Sequence, residues 1–460
     1  MGGFLVKGGT VFTAGGFSKT DVLVSGEKIA AVGDCPDYQG PVIDAGGLYV
    51  LPGIIDAHTH YHLVSRGTVT ADSFPQGSRC AAFGGVTTVV DFADHDKSTT
   101  LLKSAESRIG QMRRSMAVDF ALHQGVYGMK PDIGSQLESL KEAGINAIKL
   151  FTTYRNVGYM IDDPRQLETL LRECRRCALL VTVHCEDDNL IQSINDSWKG
   201  QYRPIDHAAL RPPRAEALAI ANLGELALKN SVPLYIVHLS SAEGLEAVRR
   251  LRRRGAQIIV ETTPHYLFLD KSALVDPVRG PLYLMTPPLR GRGDNLALQG
   301  ALLNGEIQVV ATDHCSFTCE QKLESRDCRT IYPGTPGSEE LLVLLHTFSV
   351  NSGMPFSKVL PLVTSNPASL FGLFPKKGLI APGSDADLVL FDPGKKRTLT
   401  DKTAHSAAGY SIYDGFEVCG QVRMTFRRGE KLVDGNDYFG VPGSGKLQFQ
   451  DTAGVYGKNR

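Results

Sequence analysis

From residue 86 to residue 348, short apolar runs alternate with stretches whose apolar positions recur every three or four residues. "VTTVVDFA" is a compact run of β-branched residues, the pattern of a buried strand. "TLLKSAESRIGQMRRSM" follows with helical spacing. The step repeats in "AVDFALHQGVYG" then "DIGSQLESLKEAG", and in "NAIKLFTTYR" then "PRQLETLLRECRRCA". "LLVTVHCED", "VPLYIVHLSS" with "AEGLEAVRRLRRRG", "AQIIVETTPHYLFLD", "IQVVATDHCSF" and the helical "GSEELLVLLHTF" complete the series. Such β-then-α units over roughly 300 residues predict a parallel sheet, and this many close more readily into a barrel than they stay open. A doubly wound sheet is the alternative.

The two ends of the chain differ from this middle. "FLVKGGTVFT", "DVLVSGEKIAAVG" and "VIDAGGLYVLPG" read as short strands punctuated by glycine, and the texture returns in "ADLVLFDPGKKRTLT" and "GFEVCGQVRMTFRRGEKLVDG". Isolated hairpins with one apolar face are marginal alone, so the two segments are expected to complete a single small β-sandwich. The expected organisation is residues 1–52 with 376–440 as the sandwich, 53–375 as a (β/α)8 TIM barrel, and 441–460 as a C-terminal tail, an extension free to touch a neighbouring subunit. The tail's "GSGK" lacks the first glycine and the final Ser/Thr of a phosphate loop and receives no nucleotide role.

Composition narrows the function classes. The 460 residues carry 49 basic and 49 acidic side chains, a balance that argues against a nucleic-acid or anionic-membrane partner. The N-terminus has no apolar leader, and no uninterrupted apolar run is long enough for a membrane span. Nine scattered cysteines fit reduced thiols in a cytoplasm. Cys174 and Cys177 form an isolated CxxC, read as two thiols one helical turn apart rather than a zinc knuckle.

The polar residues at the strand ends carry the chemistry. "GIIDAHTHYH" places His58 and His60 two apart, so on an extended strand both imidazoles face one way, a spacing that suits one metal ion. Lys149 sits inside "NAIKLF", His184 closes "LLVTVH", His238 closes "PLYIVH", and Asp313 follows "IQVVAT". In a β/α barrel these ends converge on one face. A lysine ammonium has no lone pair and repels a cation. Carboxylation by carbon dioxide would turn Lys149 into a carbamate able to bridge two divalent ions.

The sequence resembles the cyclic amidohydrolases, the dihydropyrimidinase, hydantoinase and allantoinase group of metal-dependent amidohydrolases. The resemblance runs over nearly the whole chain and rests on "KGGTV", "GIIDAHTH", "AAFGGVTTVVDF", "INAIKLF", "TVHCEDD", "YIVHLSSAEG", "ETTPHYL", "TPPLR", "VVATDHCSF" and "SNPASLFGLFPKKGLIAPGSDADLVLFDP". The wording around "VHCEDD" and "ATDHCSF" is nearer to hydantoinases than to allantoinases, and most similar to the bacterial phenylhydantoinase branch. The resemblance implies a homotetramer and a binuclear centre, commonly zinc. His58 and His60 would hold the more buried ion with Asp313, His184 and His238 the more exposed one, and carboxylated Lys149 (N6-carboxylysine) would bridge them.

The implied reaction is hydrolysis of the cyclic amide of 5-substituted hydantoins to N-carbamoyl amino acids by a hydroxide bridging the two ions. Asp313 would take the proton of the attacking hydroxide and return it to the departing nitrogen. Tyr154 in "KLFTTY" matches the family tyrosine that bonds the developing oxyanion. Substrate contacts are expected at Thr286, where serine is usual, and in "PGTPGSE", where Pro333 stands for asparagine and removes both an amide side chain and an N–H. These departures bear on which ring is bound.

The alternatives are a dihydropyrimidinase, an allantoinase, and an inactive dihydropyrimidinase-like interaction protein, whose expected loss of metal-site residues is not seen. His62 continues the alternation but is assigned no ligand role. Glu186, Asp187, Asp188 and His265 are candidates for orienting ligands, His314 for orienting Asp313 or substrate, and Cys315 is not assigned as a nucleophile.

Overall fold

The computed structural model describes residues 2–456. At its centre is an eight-stranded sheet in which each strand pairs with its neighbour in sequence. The strands are Ile54–Thr59, Val86–Ala93, Asp119–Gly125, Ala147–Phe151, Leu180–His184, Leu234–Ile236, Ile258–Thr262 and Val309–Val310, all parallel. A parallel bridge between Thr59 and His314 joins the last turn of the series to the first strand. There the His60 N–H donates to the His314 carbonyl at 2.8 Å. This closure makes the expected (β/α)8 barrel and removes the doubly wound alternative.

Local chemistry explains the helices between strands. The Thr100 hydroxyl accepts the Lys103 N–H at 3.2 Å and starts Leu101–Ser115. Asp163 caps Pro164–Cys177, whose buried stripe is Leu170, Leu171, Cys174 and Cys177, so the CxxC is core packing. Ser241 caps Ala242–Arg253, which buries Leu245, Val248 and Leu251 and carries Arg250, Arg252 and Arg253 in its last turn, where the helix dipole favours cations. Each such cap stabilises by about 1 kcal/mol and each fully buried leucine by about 1.5–3 kcal/mol. Inside the barrel, Ile55, Val90, Ala121, Ala147, Leu180 and Tyr235 from successive strands pack with Phe371.

Strands from both chain ends interleave in the accessory sheets. Leu388–Thr398 pairs antiparallel with Tyr49–Pro52 on one side and with Glu417–Arg427 on the other. The resulting seven-stranded sheet faces a four-stranded one built from Phe4–Lys7, Val22–Ser25, Lys28–Val32 and Val42–Asp44. Val6, Val11, Val24, Val50, Leu388 and Phe426 share one core between them. The small sandwich is therefore assembled from both ends of the chain. Lys377 ties it to the barrel, its Nζ bonding Asp119 at 2.8 Å and Asp387 at 2.7 Å.

The tail binds its own barrel. Lys446 O and Gln448 N pair with the Phe120 backbone, the Gln450 side chain accepts the Asn146 N–H, and the Thr452 hydroxyl donates to Ala178 O. These contacts lie at the N-terminal ends of the third to fifth barrel strands, opposite the rim that carries the histidines. Residues 457–460 of the expected tail lie outside the described residues. Among the described residues no helix is long and apolar enough to cross a membrane.

Candidate metal centre and active site

A register shift opposite Val89 and Asp91 bulges the first barrel strand between Asp56 and Thr59. Bulges re-aim side chains, and here His58 and His60 converge on one point. Both Nε2 atoms stand 3.2 Å from Asp313 Oδ1. Ligand atoms of these three residues lie within 4.8 Å of one another. The His184 and His238 rings lie 4.6 Å apart, and His238 is 5.5 Å from His58, centroid to centroid. Lys149 is 2% exposed, with Nζ 4.9 Å from the Phe92 ring centre and 5.2 Å from that of Phe151.

Tyr154, His238 and Asp313 lie beyond their strands in the left-handed region, at φ of 66°, 40° and 51°. Such backbone costs about 1–3 kcal/mol per residue and clusters at functional sites.

The electrostatics suit a cation at this place. Burial, with the Lys149 charge adding to it, holds His58, His184 and His238 below the ordinary histidine range, so their rings are neutral and keep a lone pair. Burial opposes ionisation of Asp313, but His58 and His60 outweigh it and hold the carboxyl well below the usual range. Burial pushes the Lys149 ammonium down to about 8.

Two of the imidazoles, those of His58 and His184, are oriented through a ring nitrogen. His58 Nδ1 bonds Glu261 Oε1 at 2.7 Å, and the same carboxylate accepts the His238 N–H at 3.1 Å and the Tyr235 hydroxyl at 2.7 Å. His184 Nε2 bonds Glu186 Oε2 at 2.7 Å, and Arg211 forks onto that carboxylate. His238 Nδ1 is buried without a hydrogen-bond partner among the described residues. A donor set of neutral imidazoles with an ionised carboxylate, one nitrogen orphaned, fits a divalent ion better than a hydrogen-bonded core.

The remaining expected residues line the same cavity, of about 630 Å³, including Tyr154, Thr286 and Pro333. Tyr154 is half-buried, its ring 5.2 Å from the Arg211 guanidinium. Desolvation pushes its phenol up to about 12. His207 Nε2 bonds the Thr286 hydroxyl at 3.0 Å.

Other candidates separate. Asp187 caps the helix Asp188–Ser197, and Asp188 accepts the Thr153 hydroxyl at 3.1 Å. His265 lines the cavity. His314 instead bonds Asp72 at 2.9 Å and accepts the Gly337 and Ser338 N–H groups, which makes it a loop anchor. His62 turns away at φ 48° and packs on Phe74. Burial pushes the Cys315 thiol far up, against a nucleophilic role. Glu261 and Arg211 were not singled out by the sequence. Glu261 ends "QIIVE" like any strand-end polar residue, and only its position at a strand end beside other candidates signalled it.

Fold and site together define a β/α-barrel hydrolase with a candidate metal centre on the C-terminal rim of its strands. The amidohydrolase family matches residues 49–432, and the chain belongs to that family, among its cyclic amidohydrolases. The chain is 38% identical to the D-hydantoinase of Ralstonia pickettii over 449 residues, covering 96% of this chain and 98% of the relative. It is 35% identical to a D-phenylhydantoinase of Escherichia coli over 452 residues, covering 96% and 97%. The crystal structure of dihydropyrimidinase from Brevibacillus agri superposes with a TM-score of 0.94 at 35% identity, covering 98% of this chain and 99% of that one.

Proposed function

We propose that the protein opens the ring of 5-substituted hydantoins, giving N-carbamoyl amino acids. The observation that carries this reading is the convergence of His58 Nε2 and His60 Nε2 on Asp313 Oδ1, 3.2 Å from each, in the wall of the cavity. His58, His60 and Asp313 would hold one divalent ion and His184 and His238 a second, with Lys149 as a carbamate between them. Zinc suits imidazole and carboxylate donors. Two such ions supply Lewis acidity and ionised water near neutral pH.

The chain's own groups do the rest. Glu261 and Glu186 fix the rings of His58 and His184, so that each would present its other nitrogen to an ion held there. Asp313 accepts the proton of the attacking water and delivers it to the ring nitrogen as the C–N bond breaks. Tyr154, kept protonated by a pKa pushed up to about 12, donates its O–H to the carbonyl oxygen as negative charge develops. Leu63, Phe151, Val157, Tyr159 and Ile331 line the cavity and leave room for a substituent on the ring. That room favours substituted hydantoins over small unsubstituted dihydropyrimidines. A cytoplasmic homotetramer completes the proposal, with light scattering as its check.

The test is a product assay of zinc-replete protein on 5-phenylhydantoin, hydantoin, dihydrouracil and allantoin, with Lys149→Ala as control. Preferential opening of phenylhydantoin, abolished in the variant, is expected. Preference for dihydrouracil or allantoin overturns the substrate, and activity that survives in Lys149→Ala overturns the metal bridge.

A further inference from the structure

Lys322 takes no part in this chemistry, yet it is among the most deeply buried charged groups of the molecule, at 0% exposure. It stands on the short helix Cys319–Leu323. Its Nζ donates to three main-chain carbonyls, Leu284 at 2.6 Å, Tyr332 at 2.8 Å and Gly334 at 2.9 Å. None of these acceptors is a carboxylate. Burial pushes the ammonium down toward deprotonation, whereas carbonyl acceptors favour its protonated form. Methionine or leucine would fill the same volume without desolvating a charge, so the arrangement needs a reason other than packing.

The three carbonyls belong to two segments of the cavity wall. Leu284 leads into Met285 and Thr286, and Tyr332 and Gly334 flank Pro333; Leu284, Met285, Thr286, Pro333 and Gly334 all line the cavity. The segments meet in one direct bond, Gly334 N–H to Leu284 O at 3.0 Å. Pro333 has no N–H to add another. Gly334 cannot add a side chain either, because a Cβ there would come within 2.4 Å of the Cys315 carbonyl. The junction is therefore braced from behind.

We propose that Lys322 is a positioning residue whose ammonium clasps segments 284–286 and 332–334 into one edge that receives the substrate ring. The kinetic half of this inference rests on the ring-opening reading above; the structural half does not. The test is Lys322→Met in the full-length, metal-replete protein. Steady-state kinetics on phenylhydantoin are paired with metal analysis and with hydrogen exchange read by mass spectrometry. KM is expected to rise about tenfold while kcat changes less than about threefold and metal content is unchanged, the signature of lost uniform binding. Exchange accelerates in peptides spanning 284–286 and 332–334 and stays as in the parent in the strand that carries Lys149. An unmoved KM, or acceleration spread evenly over the barrel, overturns the clasp. Should Lys322→Met not accumulate as folded protein, Lys322→Gln, which keeps N–H donors without the charge, is held to the same criteria. A parent protein that opens no cyclic amide refutes the functional reading, and the exchange pattern still judges the clasp.

Discussion

Replacing Glu261 by glutamine isolates the charge behind the candidate metal centre. Glu261 Oε1 accepts from His58 Nδ1 at 2.7 Å and from the His238 N–H at 3.1 Å, and Oε2 accepts the Tyr235 hydroxyl at 2.7 Å. Glutamine keeps one oxygen for the first two donors, and the Tyr235 hydroxyl can turn to accept from the new amide. Geometry is preserved and only charge is lost. A hydrogen bond to a charged group contributes about 1.5–3 kcal/mol against about 0.5–1.5 kcal/mol for a neutral one, so the difference is about 1–1.5 kcal/mol. At about 1.4 kcal/mol per decade this weakens metal binding roughly tenfold, within the range for residues that orient a metal-binding histidine. Competition with a chromophoric chelator above about pH 8, where Glu261 is ionised before metal binds, reads the affinity directly. A second signature is available without metal. Burial pushes Glu261 up to about 8 from an ordinary 4.5, so between those values the folded chain holds a proton that the unfolded chain has released. Metal-free stability from this group is therefore present at low pH and is lost as pH rises through about 8. Glu261→Gln should flatten that slope. Metal affinity within about twofold of the parent, or an unchanged slope, refutes the reasoning.

Two further outcomes follow from other buried cations. With Lys149 at about 8 rather than 10.5, roughly one chain in ten carries a neutral amine at pH 7, against fewer than about one in a thousand for an ordinary lysine. Reactivation of metal-stripped, carbonate-free protein by zinc and bicarbonate should accelerate as pH rises and level off above about 8; a flat or falling profile would exclude carbamate formation on the free amine. Lys377→Met leaves Asp119, Asp385 and Asp387 without the cation now 2.8, 3.1 and 2.7 Å away. The expected loss is about 3–5 kcal/mol in denaturant unfolding, and less than about 1 kcal/mol would show that Arg428, 3.1 Å from Asp119, and Lys28, 2.8 Å from Asp385, satisfy the cluster without it.

Much of the barrel was legible because its signals are local. A buried parallel strand needs an apolar run and its helix needs an apolar stripe, and both are visible within a dozen residues of sequence. His58, His60 and His184 could be placed on the rim because an apolar run ends beside each. The eighth strand was harder, since only Val309–Val310 is regular and Asp313 reaches the site by a left-handed turn. The path of the tail was not legible. Its polar, glycine-rich sequence carries no periodic signal, and only the fold shows that its backbone and Gln450, Thr452 and Tyr456 satisfy strand ends of its own barrel.

By itself the sequence determined the alternation of elements, the pooling of imidazoles at strand ends and the absence of a charge bias. It also carried the motifs that mark an amidohydrolase. Only tertiary structure decided which carboxylate faces which imidazole. Glu261 meets His58 across 203 residues of chain, and Lys322 reaches Leu284 across 38. Such pairs leave no periodic trace, because their distance is set by closure of the barrel rather than by the geometry of one element. Their strength comes from the same closure, which removes water and leaves each buried polar atom only the partner that the fold brings to it.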